Sequence, residues 1–225
     1  HTLSLHDALP ILLTLLPSII IMSTSFVRII IVLSLFKNAI GVQNAIPKEV
    51  IMGLALFLTF FTMAPTFTKI NNDALTPYLN NKITQSVAIE KGSKPMRDFM
   101  LKQTRAKDLK LFLDVGKLED TVKNQVDENG NEVLKNGKPV VTYDKVPLYA
   151  VVPSFLISEL RRAFEMGFLL FIPFIIIDIV TGSILMAMGM MMLPPVMISL
   201  PFKLLLFVMC DGWNLLVKSL IMSFS

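Results

Sequence analysis

The sequence has almost none of the side chains on which metal and nucleophilic chemistry depend. It holds one cysteine, Cys210, and two histidines, His1 and His6, both within the first ten residues. A lone cysteine cannot close an internal disulfide. Zinc, haem and iron–sulfur centres need clusters of Cys or His. A Ser–His–Asp or Cys–His nucleophile needs a histidine among its partners. No Gly-rich phosphate loop is present either. These absences leave no metal and no cofactor expected, and they argue against an enzyme.

Charge is scarce outside one region. The chain has 225 residues, 53% hydrophobic and 17% charged, with a mean hydropathy of +0.64. Of its 21 basic and 17 acidic residues, 14 and 11 lie between Phe67 and Ala150. Soluble domains carry about 25% charge spread throughout. The pattern is that of a multi-span membrane protein with one polar insert. Both signs alternate in the insert and the net charge is only +4, so no basic face for nucleic acid is expected.

The longest apolar stretch runs from Met166 to Phe202, with Asp178 as its one charge. At about 1.5 Å per residue it exceeds one crossing of a hydrocarbon core about 30 Å thick, so it must fold back. The bend is expected at Gly189-Met190-Met191-Met192-Leu193-Pro194-Pro195. There a double proline disfavours helical geometry at the residue before it and withholds a backbone donor.

In chain order, HTLSLHDALPI has no initiator Met and no basic n-region, so it does not read as an intact signal peptide. Residues 1–11 read as a non-native or artefactual N-terminus, with a mature terminus as the alternative. Apolar segments follow at about Ile11–Phe36 and Val50–Phe67. The short loop between them carries Lys37 and Lys48, which places it in the cytoplasm and the long insert outside. In the insert, Ser93–Leu113 shows helical spacing, with Pro95 suited to a first turn. An amphipathic helix packed on its own protein is favoured there over a membrane-surface helix. From Asp114 to Val146 the chain turns polar. Asn129-Gly130 and Asn136-Gly137 are turn signals, and a small hairpin about the second stands beside a loop reading. The final apolar segment is Val196–Met222. Arg161 and Arg162 then fall on the outer side, which fits the positive-inside rule poorly.

Charged side chains inside spans usually face protein or water. Arg28, Glu159, Glu165, Asp178, Lys203 and Asp211 are such groups. A proton relay, ion pairs within or between subunits, and snorkelling surface groups all compete. Acids and cations nearly balance, which favours structural pairing. The methionines leave two readings open. They fill a core or face lipid, because Met is adaptable. Alternatively, Met190, Met191 and Met192, supported by Met186 and Met188, form a soft plug: several copies around an axis would close a pore by dewetting.

Several long stretches carry a family likeness: TSFVRIIIVLSLFKNAIG (Thr24–Gly41), IMGLALFLTFFTMAP (Ile51–Pro65), PYLN (Pro77–Asn80), PSFLISELRRAFEMGFLLFIPFIIID (Pro153–Asp178) and GMMMLPPVMISLPFKLLLFVMCDGWNLL (Gly189–Leu216). On these the chain resembles the FliP family of flagellar biosynthesis proteins, which has counterparts in virulence type III secretion. The first eleven residues match nothing in that family, its cleavable signal peptide is missing, and the polar stretch 114–146 is longer than the usual connection. The resemblance implies a subunit of the export gate that carries unfolded flagellar proteins across the bacterial inner membrane. It implies a pentamer joined by FliQ and FliR, with FliO assisting assembly. It also implies a methionine gasket at Met190–Met192 and an inter-subunit charge pair between Glu159 and Lys203.

The expected fold is therefore an all-α integral membrane protein with two apolar helical hairpins, four hydrophobic segments in all, and a mixed, mainly helical polar insert. The expected divisions are 12–67 for the first hairpin, 68–152 for an insert on the periplasmic side, and 153–225 for the second hairpin with its methionine bend. The alternative function is a small-solute or ion transporter, although no internal repeat of the kind transporters show is evident.

Overall fold

The computed structural model describes residues 18–19, 21–42, 46–124, 134–135, 138–139, 141–190 and 193–224. These are mostly helical. Helix α1 is Phe26–Ile40 and α2 is Lys48–Ile70. A π turn, Asn71–Leu75, joins α2 to the short α3, Thr76–Leu79. Then come α4 (Gln85–Gln103), α5 (Ala106–Gly116), α6 (Leu148–Ala187), α7 (Pro195–Met209) and α8 (Gly212–Met222). Between α5 and α6, β1 (Lys123–Asn124) pairs antiparallel with β4 (Val141–Thr142), and β2 (Leu134–Lys135) with β3 (Lys138–Pro139). Among the described residues two helices are long and apolar enough to cross a membrane: Lys48–Leu79, counted through its π turn, and Leu148–Ala187. The count is three if the bent pair α7–α8 is one span.

The chain divides into two units. The first comprises residues 1–64 and 160–225. Its core is built on α1, whose Ile29, Val32, Leu33, Phe36 and Ile40 recur at helical spacing and are buried. Phe36 is the hub of an aromatic cluster. Its ring centroid lies 4.8 Å from Phe207, 5.3 Å from Trp213 and 6.4 Å from Phe174. Phe207 and Trp213 also meet edge to face at 5.4 Å. Phe36 and Phe174, the buried rings of the cluster, contribute about 1.5–3 kcal/mol each by area, and aromatic contacts of this geometry add about 0.5–1.5 kcal/mol.

Three sequence expectations change along the apolar segments. The first apolar segment is not one uninterrupted helix through Phe36, because the chain turns at Ser23-Thr24-Ser25. The hydroxyls there compete with the helix ladder. Ser23 Oγ donates to Ile19 O (2.8 Å), Thr24 Oγ1 donates to Ile21 O (2.6 Å), and Ser25 Oγ bonds Thr62 Oγ1 across to α2 (2.6 Å). The second segment does not end at Phe67; helix continues past Pro65 to Ile70. The last segment is broken at Cys210-Asp211 and bent by 66°. Asp211 takes a left-handed φ of 49° at the N-cap of α8. Gly212 allows the tight approach: a Cβ there would stand 2.1 Å from the Phe207 ring.

The second unit is residues 65–159. Met100, Leu109, Leu113, Val146, Ala150, Val151 and Phe155 form its buried cluster, and Phe99 meets Phe155 edge to face at 5.9 Å. The helix expected over Ser93–Leu113 is two helices. The first begins at Gln85, so Pro95 sits inside it and not in its first turn. The break falls at Thr104-Arg105, both extended. Ser158 of α6 makes that break favourable. Its hydroxyl accepts from Arg105 N–H (3.1 Å) and donates to Asp108 Oδ2 (2.7 Å), capping α5 from another element. Arg97 Nη1 donates to Val146 O and ties α4 to the start of α6. β2 and β3 pair in the register Leu134 with Pro139 and Lys135 with Lys138. Asn136-Gly137 and Asn129-Gly130 lie outside the described residues.

Substitution of Gly212 by alanine drives a methyl group into a ring already held between Phe36 and Trp213. Overpacking of this kind costs about 1–3 kcal/mol. Gly53 has nothing within 4 Å of its added Cβ, and alanine gains about 1 kcal/mol of helix propensity there. We expect Gly212→Ala to lower the melting temperature of the purified protein and Gly53→Ala to leave it equal or higher. Equal behaviour of the two variants in a thermal-unfolding series rules out the steric account.

Candidate functional site

The bend between α6 and α7 is made by backbone chemistry. Helix α6 ends in a left-handed glycine, Gly189, with φ 73°. Met190 N–H bonds Leu185 O and Gly189 N–H bonds Met186 O, each at 3.0 Å. This 6→1 and 5→2 pair closes the helix end as a Schellman motif, which glycine adopts at least cost. An added Cβ at Gly189 would meet no atom within 4 Å, so conformation and not crowding selects glycine. On the other side Pro194 is the extended N-cap of α7 and Pro195 opens the helix. Proline suits that first turn because its missing donor would have no intrahelical acceptor.

The side chains at this tip are apolar and open. Met186 is 62% exposed, Met188 61% and Met190 42%. Met197, one turn into α7, is exposed as well. Met191 and Met192 lie outside the described residues. A cluster of exposed methionines at a chain reversal is a soft apolar surface without a partner in the single chain.

Below the tip, polar bonds join the two helices. Lys203 is 97% shielded, with a relative exposure of 3%. Its Nζ donates to Asp178 Oδ2 at 2.6 Å and to Ala39 O at 3.3 Å. The buried Ser199 donates to Asp178 Oδ1 at 2.5 Å, with Val196 O a second acceptor at 3.1 Å. Both carboxylate oxygens are thereby occupied. Ser199 and Lys203 lie four residues apart on one face of α7. Between this group and the tip, Gly182 of α6 stands against Pro195, whose ring carbons would be 3.6 Å from an added Cβ. Among the described residues no buried side-chain nitrogen or oxygen lacks a partner.

The other charged residues singled out from sequence separate into different environments. Arg28 is fully buried. Its Nη1 donates to Ser223 O (2.7 Å) and Ser223 Oγ (2.9 Å), and its guanidinium lies 3.9 Å from the Phe224 ring centroid. It thus serves the C-terminal end of α8, where helix carbonyls lack intrahelical donors and attract a cation. Glu159 is fully buried in the second unit. Glu165 and Asp211, expected to be buried, are exposed in the single chain. Glu165 makes a surface i,i+4 pair with Arg161 at 3.0 Å, on the outward face of α6. Asp211 sits at the α7–α8 break, where the bend turns it outward. Ser199 was not singled out from sequence. Its signal was the i,i+4 relation to Lys203 and its mirror placement from Asp178 across the bend. Among the described residues no group of three or more His, Cys, Asp or Glu side chains could hold a metal ion.

Comparison with known proteins is specific. The profile of the FliP family matches residues 9–220. The Flagellar biosynthetic protein FliP of Bacillus subtilis (strain 168) is 52% identical over 208 residues, 92% of this chain and 86% of that protein. The Pectobacterium carotovorum subsp. carotovorum protein of the same name is 48% identical over 212 residues, 94% of this chain and 75% of its own length. That of Aquifex aeolicus (strain VF5) is 46% identical over 214 residues, 95% and 82% respectively. Identity near one half over nearly the whole chain goes well beyond shared composition or a shared bend. This chain belongs to the FliP family.

Proposed function

We propose that the chain is a subunit of the flagellar type III export gate and contributes the α6–α7 tip to the seal of its protein-conducting channel. Family membership makes it a component of an export apparatus in the bacterial inner membrane, not an enzyme. It also displaces the small-solute transporter reading. The observation that carries the channel reading is the tip itself. Apolar, deformable side chains are presented outward on a backbone turn that a left-handed glycine and two prolines hold. In a pentamer, five such tips around an axis form a ring that excludes water and ions and yields to an unfolded polypeptide. α1 with α2, and α6 with α7 and α8, act as the two helical hairpins of each subunit. FliQ, FliR and lipid cover the exposed apolar faces, FliO assists assembly, and the second unit lies on the periplasmic side.

Lys203 has two partners in this reading. Within the chain it holds Asp178. The inter-subunit pair of Lys203 with Glu159 belongs to the same proposal, and because both side chains are buried in the single chain it forms only where assembly uncovers them. The pairing reading is supported by the complete hydrogen bonding of Asp178 and by the near absence of solvent at Lys203.

Two outcomes are expected. Replacing Met190, Met191 and Met192 together by alanine makes the inner membrane permeable to small ions when the complete gate is present, while the complex is still recovered at normal yield. Unchanged conductance removes the seal, and loss of the complex favours a packing role. Lys203→Ala strands the Asp178 carboxylate; breaking one half of a fully buried pair costs about 3–5 kcal/mol, and the 31% exposure of Asp178 lowers that figure. The substitution is expected to cut the amount of assembled complex severely. Lys203→Met combined with Asp178→Asn restores more of it than either change alone. A stable Lys203→Ala complex that has lost only its proton dependence contradicts structural pairing.

A further inference from the structure

On the reading of the tip as a seal, we infer that Ser199 is the positioning residue that sets how tightly the methionines close. Ser199 is fully buried, and its hydroxyl has two acceptors within reach. One is Asp178 Oδ1 of α6 at 2.5 Å, and the other is Val196 O of its own helix at 3.1 Å. Val196 belongs to the first turn of α7, directly after the double proline. A serine that donates to a carbonyl one turn back competes with the helix ladder and bends the helix. The single hydroxyl proton therefore has two destinations. Given to Asp178, it ties α6 to α7. Given to Val196 O, it releases the carboxylate and perturbs the turn from which the tip springs.

Asp178 needs this second bond because Lys203 holds only its Oδ2. The Asp178 side chain is 31% exposed and that of Lys203 only 3%. A carboxylate held at one oxygen keeps a broad terminal torsion. It can swing toward its open side, where the shielded ammonium cannot follow. Held at both oxygens, its plane is fixed. Among the described residues, the bond from Ser199 to Asp178 is the last side-chain tie between α6 and α7 before the reversal. One turn closer to the tip, Gly182 meets Pro195, a backbone against a ring. That contact limits approach but does not hold the helices together. The spacing of the two helices at the base of the tip thus depends on one hydroxyl.

The test is the ion conductance of the complete purified gate in planar bilayers, with the yield of assembled complex measured beside it. Ser199→Ala removes the donor. A hydrogen bond to a charged group shifts an equilibrium by about tenfold or more, so closed-gate conductance is expected to rise about tenfold at unchanged yield. Ser199→Thr keeps the hydroxyl and should stay near the parent value. So should Ser183→Ala, which removes an exposed hydroxyl that donates to Ile179 O of its own helix. The triple alanine change at Met190, Met191 and Met192 is the reference for an open seal. If Ser199→Ala does not assemble, Ser199→Cys decides, because a thiol is only a weak donor; an intermediate rise is then expected. The proposal is overturned if the reference leaks while Ser199→Ala, or the cysteine variant in its place, does not. It is also overturned if Ser199→Thr or Ser183→Ala leaks as much as Ser199→Ala. Failure of both the alanine and the cysteine variants to assemble overturns it too, since Ser199 is then a packing residue. A reference that does not leak removes the seal reading itself, and this proposal with it.

Discussion

A positive charge held away from water is the constraint on which the first unit depends. Lys203 sits in an almost wholly apolar sequence and is nearly inaccessible to solvent. Its desolvation is tolerable only with a close counter-charge and satisfied donors. Asp178 supplies the charge, Ser199 fixes the second carboxylate oxygen, and Ala39 O takes another Nζ proton. These bonds tie α7 to α6 and to the end of α1. Leu200 packs on the same helix end, 3.7 Å from where a Cβ on Gly41 would lie. With α6 and α7 joined at Asp178 and at Gly182, only a short connection remains, and it must reverse direction. Gly189 and the double proline provide the backbone geometry for that reversal. The methionine tip thus lies at the reversal just beyond the Lys203–Asp178 pair.

The outward surface has the opposite character. Phe168, Leu169, Ile176 and Ile179 of α6, Phe57, Phe60 and Phe61 of α2, and Val208 and Met209 of α7 are all exposed in the single chain. Apolar exposure of this extent marks contact with lipid or protein. Arg28 shows the same economy of polar groups as Lys203. Fully buried, it satisfies the orphan carbonyl end of α8 and stacks on Phe224, which joins the first described helix to the C-terminal one. The two buried cations of this unit serve a helix end and a counter-charge.

Periodicity and turn chemistry made the helical class, the long apolar stretch and the reversal at Gly189–Pro195 legible from the sequence, because glycine and proline act locally. Asp178 and Lys203 were legible as charges out of place. Their mutual pairing was not, since it depends on the register of α7 against α6, which no single segment encodes. The breaks at Ser23–Ser25, Thr104-Arg105 and Cys210-Asp211 were missed for a related reason. None carries a proline. Two are held by a partner distant in sequence, Thr62 for Ser25 and Ser158 for Arg105, and the third depends on the close approach of the Phe207 ring that Gly212 permits. Glu165 and Asp211 were misjudged because hydropathy assigns a charge to an apolar run without saying which face of the helix bears it. The proposal that the methionines form a seal comes from family likeness; composition left filler and plug both open.

The central claim is that the tip held by Gly189 and Pro194-Pro195 points into a lumen. A cryo-electron microscopy reconstruction of the assembled complex tests it most directly, by locating Met190, Met191 and Met192 relative to the symmetry axis. The account predicts a closed ring of these side chains at the narrowest point of the channel, with Lys203 and Asp178 paired behind it. Methionines facing lipid at the periphery, with another element at the constriction, contradict it.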